Sequence, residues 1–103
     1  MANFLLTYHG GKMPDSPEEG AKVMAAWAAW FEKLGSAVVD GGNPTSQARA
    51  ISPDGSVMDA TTFPSGYSVI SADSMDAAVE ATRGCPVLAD GAVVVVSETF
   101  NAM

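Results

Sequence analysis

The chain has 103 residues, 48% of them hydrophobic, and five Lys and Arg stand against twelve Asp and Glu, for a net charge of −7. This length fits one domain with a modest core, and the composition is globular rather than disordered. Nucleic acid and anionic membranes repel such a surface, and the few cationic residues are scattered, so neither is an expected partner.

The cysteine and histidine content limits the chemistry further. Cys85 is the only cysteine, which excludes an intrachain disulfide, and with His9 as the only histidine a zinc site is not expected. We expect no metal and no cofactor. The first residues lack the basic and apolar pattern of a signal peptide, and no apolar run reaches the length of a membrane span. A cytoplasmic location is the expectation.

The first predicted elements are a strand and a long amphipathic helix. Residues 3–9 alternate in the manner of a strand. Ser16, Pro17 and Glu19 are typical of a helix start, as N-cap, first helical residue and capping-box partner. Apolar residues at spacings of one, three and four then predict one buried stripe: Val23, Met24, Trp27, Trp30, Phe31 and Leu34. Gly35 is the expected C-terminal stop.

A short strand and a hairpin are predicted next. Residues 36–40 form the strand, which runs into a turn cluster at 41–44. Residues 47–51 and 57–61 flank the Ser-Pro-Asp-Gly sequence at 52–55, which is a turn signal between two strands.

A second strand–helix–strand unit closes the chain. Residues 66–72 form its first strand and residues 92–99 its last. The helix between them begins at Asp73 or Ser74 and ends near Gly84, and four of its residues are predicted to face inward: Met75, Ala78, Val79 and Thr82. Two such units with right-handed crossovers predict an α+β, ferredoxin-like antiparallel sheet with two helices on one face, and the hairpin extends that plan.

Four consecutive valines at 93–96 in the last strand predict a dimer. Side chains alternate along a strand, so these valines present apolar groups to both faces of the sheet. Two helices cover one face only, and a second copy would supply the missing cover. The alternative is a sheet with one exposed apolar face, which is uncommon on soluble monomers.

Several segments, in order and at their spacing, resemble the YCII-related (DGPF-domain) family. They are Phe-Leu-Leu-Thr-Tyr at 4–8, Trp-Phe-Glu-Lys-Leu-Gly at 30–35, Val-Val-Asp-Gly-Gly-Asn-Pro at 38–44, Gly-Tyr-Ser-Val-Ile-Ser-Ala-Asp-Ser-Met-Asp-Ala-Ala at 66–78, Arg-Gly-Cys-Pro at 83–86 and the last strand. The resemblance implies one domain over residues 1–103 and a dimeric α+β barrel, formed by a bacterial homodimer. It also implies a pocket between the helices, the sheet and the partner chain.

The resemblance does not extend to the catalytic residues of the family. Some members use a His–Asp pair, and one branch resembles dehydrochlorinases of chlorinated aromatics. Their histidine would fall near Met24 in this chain, where the first helix has none. The Asp-Gly-Pro-Phe sequence is also absent, since residues 59–63 read Asp-Ala-Thr-Thr-Phe.

Two residues are the catalytic candidates. His9 ends the first strand and can act as a general base, and Asp40 at the end of the second strand can orient it if the two strands are neighbours. The alternative is that His9 is a solvent-facing strand end and Asp40 a turn residue.

Four further residues are candidates for ligand binding: Tyr8, Arg49, Asp59 and Tyr67. Arg49 can bind a carboxylate or phenolate through its planar donors, or it is an exposed hairpin residue. Cys85 follows a helix end, where the helix dipole disfavours a thiolate, and is predicted to be a buried structural residue.

Two functions remain open at this stage, so the chain is not assigned as an enzyme. One is a cofactor-free enzyme or binder of small aromatic or apolar molecules in a pocket beside the sheet. The other is a noncatalytic protein-interaction module that uses the acidic surface or the hairpin edge. Cofactor-independent oxygenase chemistry is a weaker analogy that rests on fold alone.

Overall fold

The computed structural model describes residues 1–11 and 14–102 as a four-stranded antiparallel sheet, two helices and a separate hairpin. The elements are β1 (Ala2–His9), α1 (Pro17–Leu34), β2 (Val38–Asp40), β3 (Arg49–Ile51), β4 (Val57–Asp59), β5 (Gly66–Ala72), α2 (Met75–Thr82) and β6 (Val93–Glu98). The 3-10 segments Gly35–Ala37 and Pro86–Asp90 follow the two helices. The sheet order is β2-β5-β1-β6, which confirms the ferredoxin-like α+β prediction.

The caps of α1 follow the sequence signals closely. The Ser16 hydroxyl accepts a hydrogen bond from the Glu19 amide at 3.2 Å, and Pro17 occupies the first turn. The Glu19 carboxylate accepts from the Asp15 amide at 2.9 Å, one residue earlier than an ordinary capping box. At the other end, the Gly35 amide donates to the carbonyl of Phe31. Residues 35–37 therefore continue as a 3-10 segment, and the strand begins two residues later than predicted.

The core lies between the two helices and one face of the sheet. Its buried members are Phe4, Leu6, Tyr8, Trp30, Ile70, Ala72, Ala78 and Cys85. Because residues of α1 and α2 pack against the same inward positions of β1 and β5, both helices cover one face. The Trp30 indole N–H donates to the Ala81 carbonyl at 3.1 Å and so joins the two helices.

The buried stripe of α1 is narrower than predicted. Trp30 is buried and Trp27 packs edge-on to Tyr8 with ring centroids 5.3 Å apart, whereas Met24 is 71% exposed. The aromatic side chains in the C-terminal half of α1 provide its contact with the sheet, and Met24 lies at the flank of that stripe. Met75 is also exposed, because it stands in the first turn of α2.

The opposite side of the sheet has no cover within the chain, and we call it the outer face. Strand alternation and register assign ten residues of β1, β5 and β6 to it: Asn3, Leu5, Thr7, His9, Tyr67, Val69, Ser71, Val93, Val95 and Ser97. At the border of the sheet, Asp40 of β2 stands opposite Val69. Val93 is 61% and Val95 44% exposed. Val94 and Val96 point the other way, toward the helices, so the run of valines does serve both faces as predicted.

The hairpin stands apart from the main sheet. Within the described residues, β3 and β4 pair only with each other. Its turn is closed by hydrogen bonds from the Ser52 amide to the Ser56 carbonyl and from the Gly55 amide to the Ser52 carbonyl, both 2.8 Å. The loops at its base are attached to the body through the Thr45 amide, which donates to the Ser65 carbonyl at 2.9 Å.

The turn after β2 requires a glycine. Gly42 has φ +75°, and a Cβ there would lie 1.6 Å from the carbonyl oxygen of Tyr67. The Gly42 amide donates to the Asp40 carboxylate at 2.8 Å. The chain therefore crosses β5 at close range, which holds the end of β2 against the sheet.

Candidate functional site

A groove opens on the helix side of the sheet, between α2, the 3-10 segment Pro86–Asp90 and β6, and we call it the α2–β6 groove. It has a volume of about 320 Å³ and is lined by Met75, Val79, Thr82, Arg83, Leu88, Val94 and Val96. It exists because α2 has only two turns. The helix ends at Thr82 and the chain turns away through Pro86, which leaves the inward valines of β6 half-covered.

The polar groups of the groove are few. The Thr82 hydroxyl donates to the Ala78 carbonyl at 2.7 Å, so its hydrogen is already used. Arg83 is the one charged side chain among the lining residues, and its Nε donates to Glu80 at 2.9 Å. A guanidinium has five N–H donors, so this pair leaves terminal donors at the groove mouth. The site therefore suits an apolar ring or chain that carries a hydrogen-bond acceptor.

A buried polar cluster joins β1, β5 and the turn after β2. The Tyr8 hydroxyl donates to Ser68 Oγ at 2.7 Å, and the Ser68 hydroxyl donates to the Gly41 carbonyl at 2.7 Å. Burial raises the pKa of the Tyr8 phenol well above its ordinary value of 10.0, and burial likewise raises the pKa of the Cys85 thiol. Both groups are therefore neutral near pH 7.

This cluster is closed rather than open to a ligand. Tyr8, Ser68 and Cys85 are all buried, and within the described residues every buried side-chain nitrogen or oxygen has a hydrogen-bond partner. Sequence reasoning did not single out Ser68. The available signal was that Ser68 is the polar residue among the alternate positions Gly66, Ser68, Ile70 and Ala72 of β5, directly opposite Leu6 and diagonal to Tyr8.

The two catalytic candidates lie on strands that are not neighbours. β5 stands between β1, which ends at His9, and β2, which ends at Asp40. His9 Nε2 is 3.0 Å from the Thr7 hydroxyl on the outer face, while Asp40 is exposed and accepts from the Gly42 amide. The condition for a His9–Asp40 pair, adjacent strands within one chain, is not met.

The four predicted ligand-binding residues are also separated. Tyr8 is buried on the helix side, and Tyr67 lies on the outer face beside Thr7. Arg49 and Asp59 face each other on the hairpin, with Arg49 Nε 3.8 Å from the Asp59 carboxylate, and both side chains are exposed. None of these six candidates lines the α2–β6 groove.

Among residues 1–11 and 14–102, no cluster of three His, Cys, Asp or Glu side chains is arranged to hold a metal ion. No helix there has both the length and the apolar character needed to cross a bilayer.

Comparison with known proteins identifies the family. The family model of the YCII-related domain matches residues 4–98. The chain belongs to the YCII-related family. The resemblance noted in the sequence is thereby confirmed.

One solved structure supports the fold of this YCII-related chain. It is 5-chloro-2-hydroxyhydroquinone dehydrochlorinase (TftG) from Burkholderia phenoliruptrix AC1100, in complex with 2,5-dihydroxybenzoquinone. The likeness covers 97% of this chain and 95% of that one at 20% identity, with a TM-score of 0.59. No curated protein matches the chain.

Proposed function

We propose that this YCII-related protein binds a small aromatic or apolar molecule in the α2–β6 groove and that it works as a cytoplasmic homodimer. The groove is the observation that carries the proposal. Its volume of about 320 Å³ lies at the lower end of the range for small-molecule sites, roughly 300–1,000 Å³. A lining of apolar side chains with one guanidinium at the mouth is typical of sites that bind small molecules.

The ligand class follows from this lining. Apolar contact comes from three elements, namely Met75 and Val79 of α2, Leu88 of the 3-10 segment, and Val94 and Val96 of β6. Arg83 offers N–H donors to a phenolate, quinone or carboxylate oxygen. TftG, which has the same fold, is described in complex with a dihydroxylated quinone. Hydroxylated aromatic rings therefore form the first ligand class to test.

Titration calorimetry with 2,5-dihydroxybenzoquinone tests the groove. We expect Val96→Trp, which fills the groove, to abolish binding, and Arg83→Gln to weaken it roughly tenfold, since a charged hydrogen bond is lost. Arg49→Gln is the matched control, because Arg49 is also an exposed arginine in an ion pair but lies on the hairpin. Equal heats for the wild type and Val96→Trp would refute the site, and the absence of binding by a panel of such rings would favour a noncatalytic interaction module.

The homodimer is supported by the chemistry of the outer face. The ten outer-face residues of β1, β5 and β6 include no Asp, Glu, Lys or Arg, although the chain carries twelve acidic residues, and Asp40 of β2 stands at the border of the face, opposite Val69. A face with exposed valines and its charge at the border suits contact of this acidic protein with a second copy, because like charges do not meet at the centre of the contact.

Sedimentation velocity tests the dimer. We expect a dimer at micromolar concentration, and Val95→Asp, which places two carboxylates near each other in a symmetric interface, should give monomers. Met24→Asp is the control, since Met24 is also apolar and exposed but lies on α1. A monomeric wild type at every concentration would refute this part of the proposal.

A catalytic role for His9 and Asp40 stays a prediction, and it is separable from the groove. His9 lies on the outer face, and the α2–β6 groove lies on the other side of the sheet. We expect His9→Ala to bind the ligand with unchanged affinity. A loss of affinity in that variant would move the ligand site to the outer face.

A further inference from the structure

The hairpin exposes apolar side chains that no part of its own chain covers. Ile51 is 73%, Val57 64% and Met58 50% exposed. Ile51 and Val57 are directly opposite each other and share one face, while Met58 lies on the other face, opposite Ala50. Two-stranded hairpins are only marginally stable alone in water, so apolar groups on both faces indicate a packing partner.

We infer that the β3–β4 hairpin is an arm that packs on a second copy of this chain and completes the dimer interface. This inference rests on the homodimer proposed above and adds to it. The hairpin is an addition to the ferredoxin-like fold, and the other subunit is the partner on which it packs.

The size of the outer face supports this assignment. The face contributes ten residues of β1, β5 and β6 per subunit, with Asp40 of β2 at its border, whereas a stable protein interface has roughly 20–30 residues on each side. The outer face alone therefore falls short. Residues 49–59 of the hairpin would bring the count close to this range, and they include three exposed apolar side chains.

The charge of the hairpin fits a second acidic copy. Arg49 and Asp59 neutralise each other at its base. Asp54 is engaged within the turn, where its carboxylate accepts from the Ser56 amide at 2.9 Å and from the Ser56 hydroxyl at 2.8 Å. Asp54 keeps its charge at the turn, since Ser56 is neutral, and the three exposed apolar residues lie between this turn and the ion pair at the base. The apolar surface of the arm is therefore itself uncharged.

The attachment of the hairpin suits an arm. It continues from the ends of β2 and β5, through a bridge between Pro44 and Gly66 and the hydrogen bond between Thr45 and Ser65. Tyr67, the first outer-face residue of β5, follows this bridge directly. The arm thus emerges at the border of the proposed interface, and the two surfaces are continuous along the chain.

The first test measures dimer dissociation by sedimentation equilibrium. Ile51→Ser with Val57→Ser should raise the dissociation constant about tenfold or more, since two opposed apolar contacts are lost at once. Met24→Ser, an exposed apolar residue on α1, is the matched control and should leave the constant unchanged. Circular dichroism confirms that each variant is folded.

The second test does not depend on weakening the dimer. The native Cys85 is only 3% exposed, so a cysteine introduced as Met58→Cys is the one accessible thiol. We expect its alkylation by iodoacetamide to slow at least fivefold between monomeric and dimeric concentrations, while Ala28→Cys on the exposed side of α1 reacts at one rate throughout.

The results of the two tests distinguish an error in the role of the hairpin from an error in the proposed dimer. A wild-type dimer that is unaffected by the hairpin variants, with Met58→Cys equally reactive at all concentrations, overturns the arm and leaves the dimer standing. Such a hairpin would be free to bind a different protein. A wild type that never dimerises overturns both. A weakened dimer together with protection of Met58→Cys supports the arm.

Discussion

Replacing Gly42 with alanine should be one of the most damaging small substitutions in this protein, and Gly91 provides the matched comparison. Both glycines have a positive φ, +75° at Gly42 and +82° at Gly91, which residues other than glycine rarely adopt. A Cβ at Gly91 would meet no atom within 4 Å, whereas at Gly42 it would lie 1.6 Å from the Tyr67 carbonyl oxygen. The two variants share the backbone strain and differ only in the clash.

The loss of unfolding free energy in each variant follows from the backbone strain and from these contacts. Positive φ costs an alanine about 1–2 kcal/mol, offset by about 0.4–1 kcal/mol from the restricted unfolded chain, so Gly91→Ala should lose about 1 kcal/mol. At Gly42 the turn must also move away from β5. This breaks the hydrogen bond between the Tyr67 amide and the Asn43 carbonyl and disturbs the one from Ser68 to Gly41. Two such bonds add about 1–3 kcal/mol.

Thermal unfolding at equal protein concentration measures the difference, because stability of a dimer depends on concentration. We expect Gly91→Ala to lower Tm by about 4–8 °C and Gly42→Ala by about 8 °C or more, at least twice the effect of Gly91→Ala, at about 4–8 °C per kcal/mol for a domain of this size. Equal Tm values for the two variants would show that the turn is not held against β5 as described.

Three further predictions concern the buried groups. In urea unfolding, Tyr8→Phe should lower the unfolding free energy by about 1 kcal/mol and Ser68→Ala by about 2–3 kcal/mol. The second variant costs more because it alone leaves a buried hydroxyl, that of Tyr8, without a partner. The reverse order would contradict the direction of the two hydrogen bonds. The folded-state pKa values of Tyr8 and Cys85 lie above their ordinary values of 10.0 and 9.0, so the stability they contribute is present below pH 9 and is lost as pH rises beyond it. Unfolding free energy measured from pH 7 to 10.5 should fall, and Cys85→Ala should reduce the slope; an unchanged slope would remove Cys85 from this account. Trp30→Phe should cost about 1–2 kcal/mol, since the Ala81 carbonyl loses its donor, and an unchanged urea midpoint would argue against that bond.

Much of the fold could be predicted because its signals are local. The N-cap at Ser16, the glycine stop at Gly35 and the turn at 52–55 each depend on residues a few positions apart, and each is found in the structure. The predicted alternation of β1 is found as well, with Phe4 and Leu6 buried on one face. The extent of burial was less predictable, as Met24 demonstrates, because it depends on how wide a stripe the sheet can accept.

The candidate site depended on distances that the sequence does not encode locally. His9 and Asp40 both end strands, but their separation is decided by β5, which inserts between those strands from about thirty residues further along the chain. The α2–β6 groove likewise arises from how two turns of helix lie across the edge strand. Arg83 gave no sign of this role, since in sequence it is simply a charged residue at a helix end.

The position of β1 in the sheet has a consequence for how the chain reaches its folded state. β1 precedes the other strands of this sheet in the chain, and its hydrogen-bond partners are β5 and β6, which begin at Gly66 and Val93. During translation, therefore, β1 has no partner strand until β5 emerges, and its second edge stays unpaired until β6 emerges, so the sheet closes late. α1 can form early from its own caps. We thus expect the sheet to close only after β6 has emerged, and a chain that stops before β6 to expose an edge of β1 that invites aggregation.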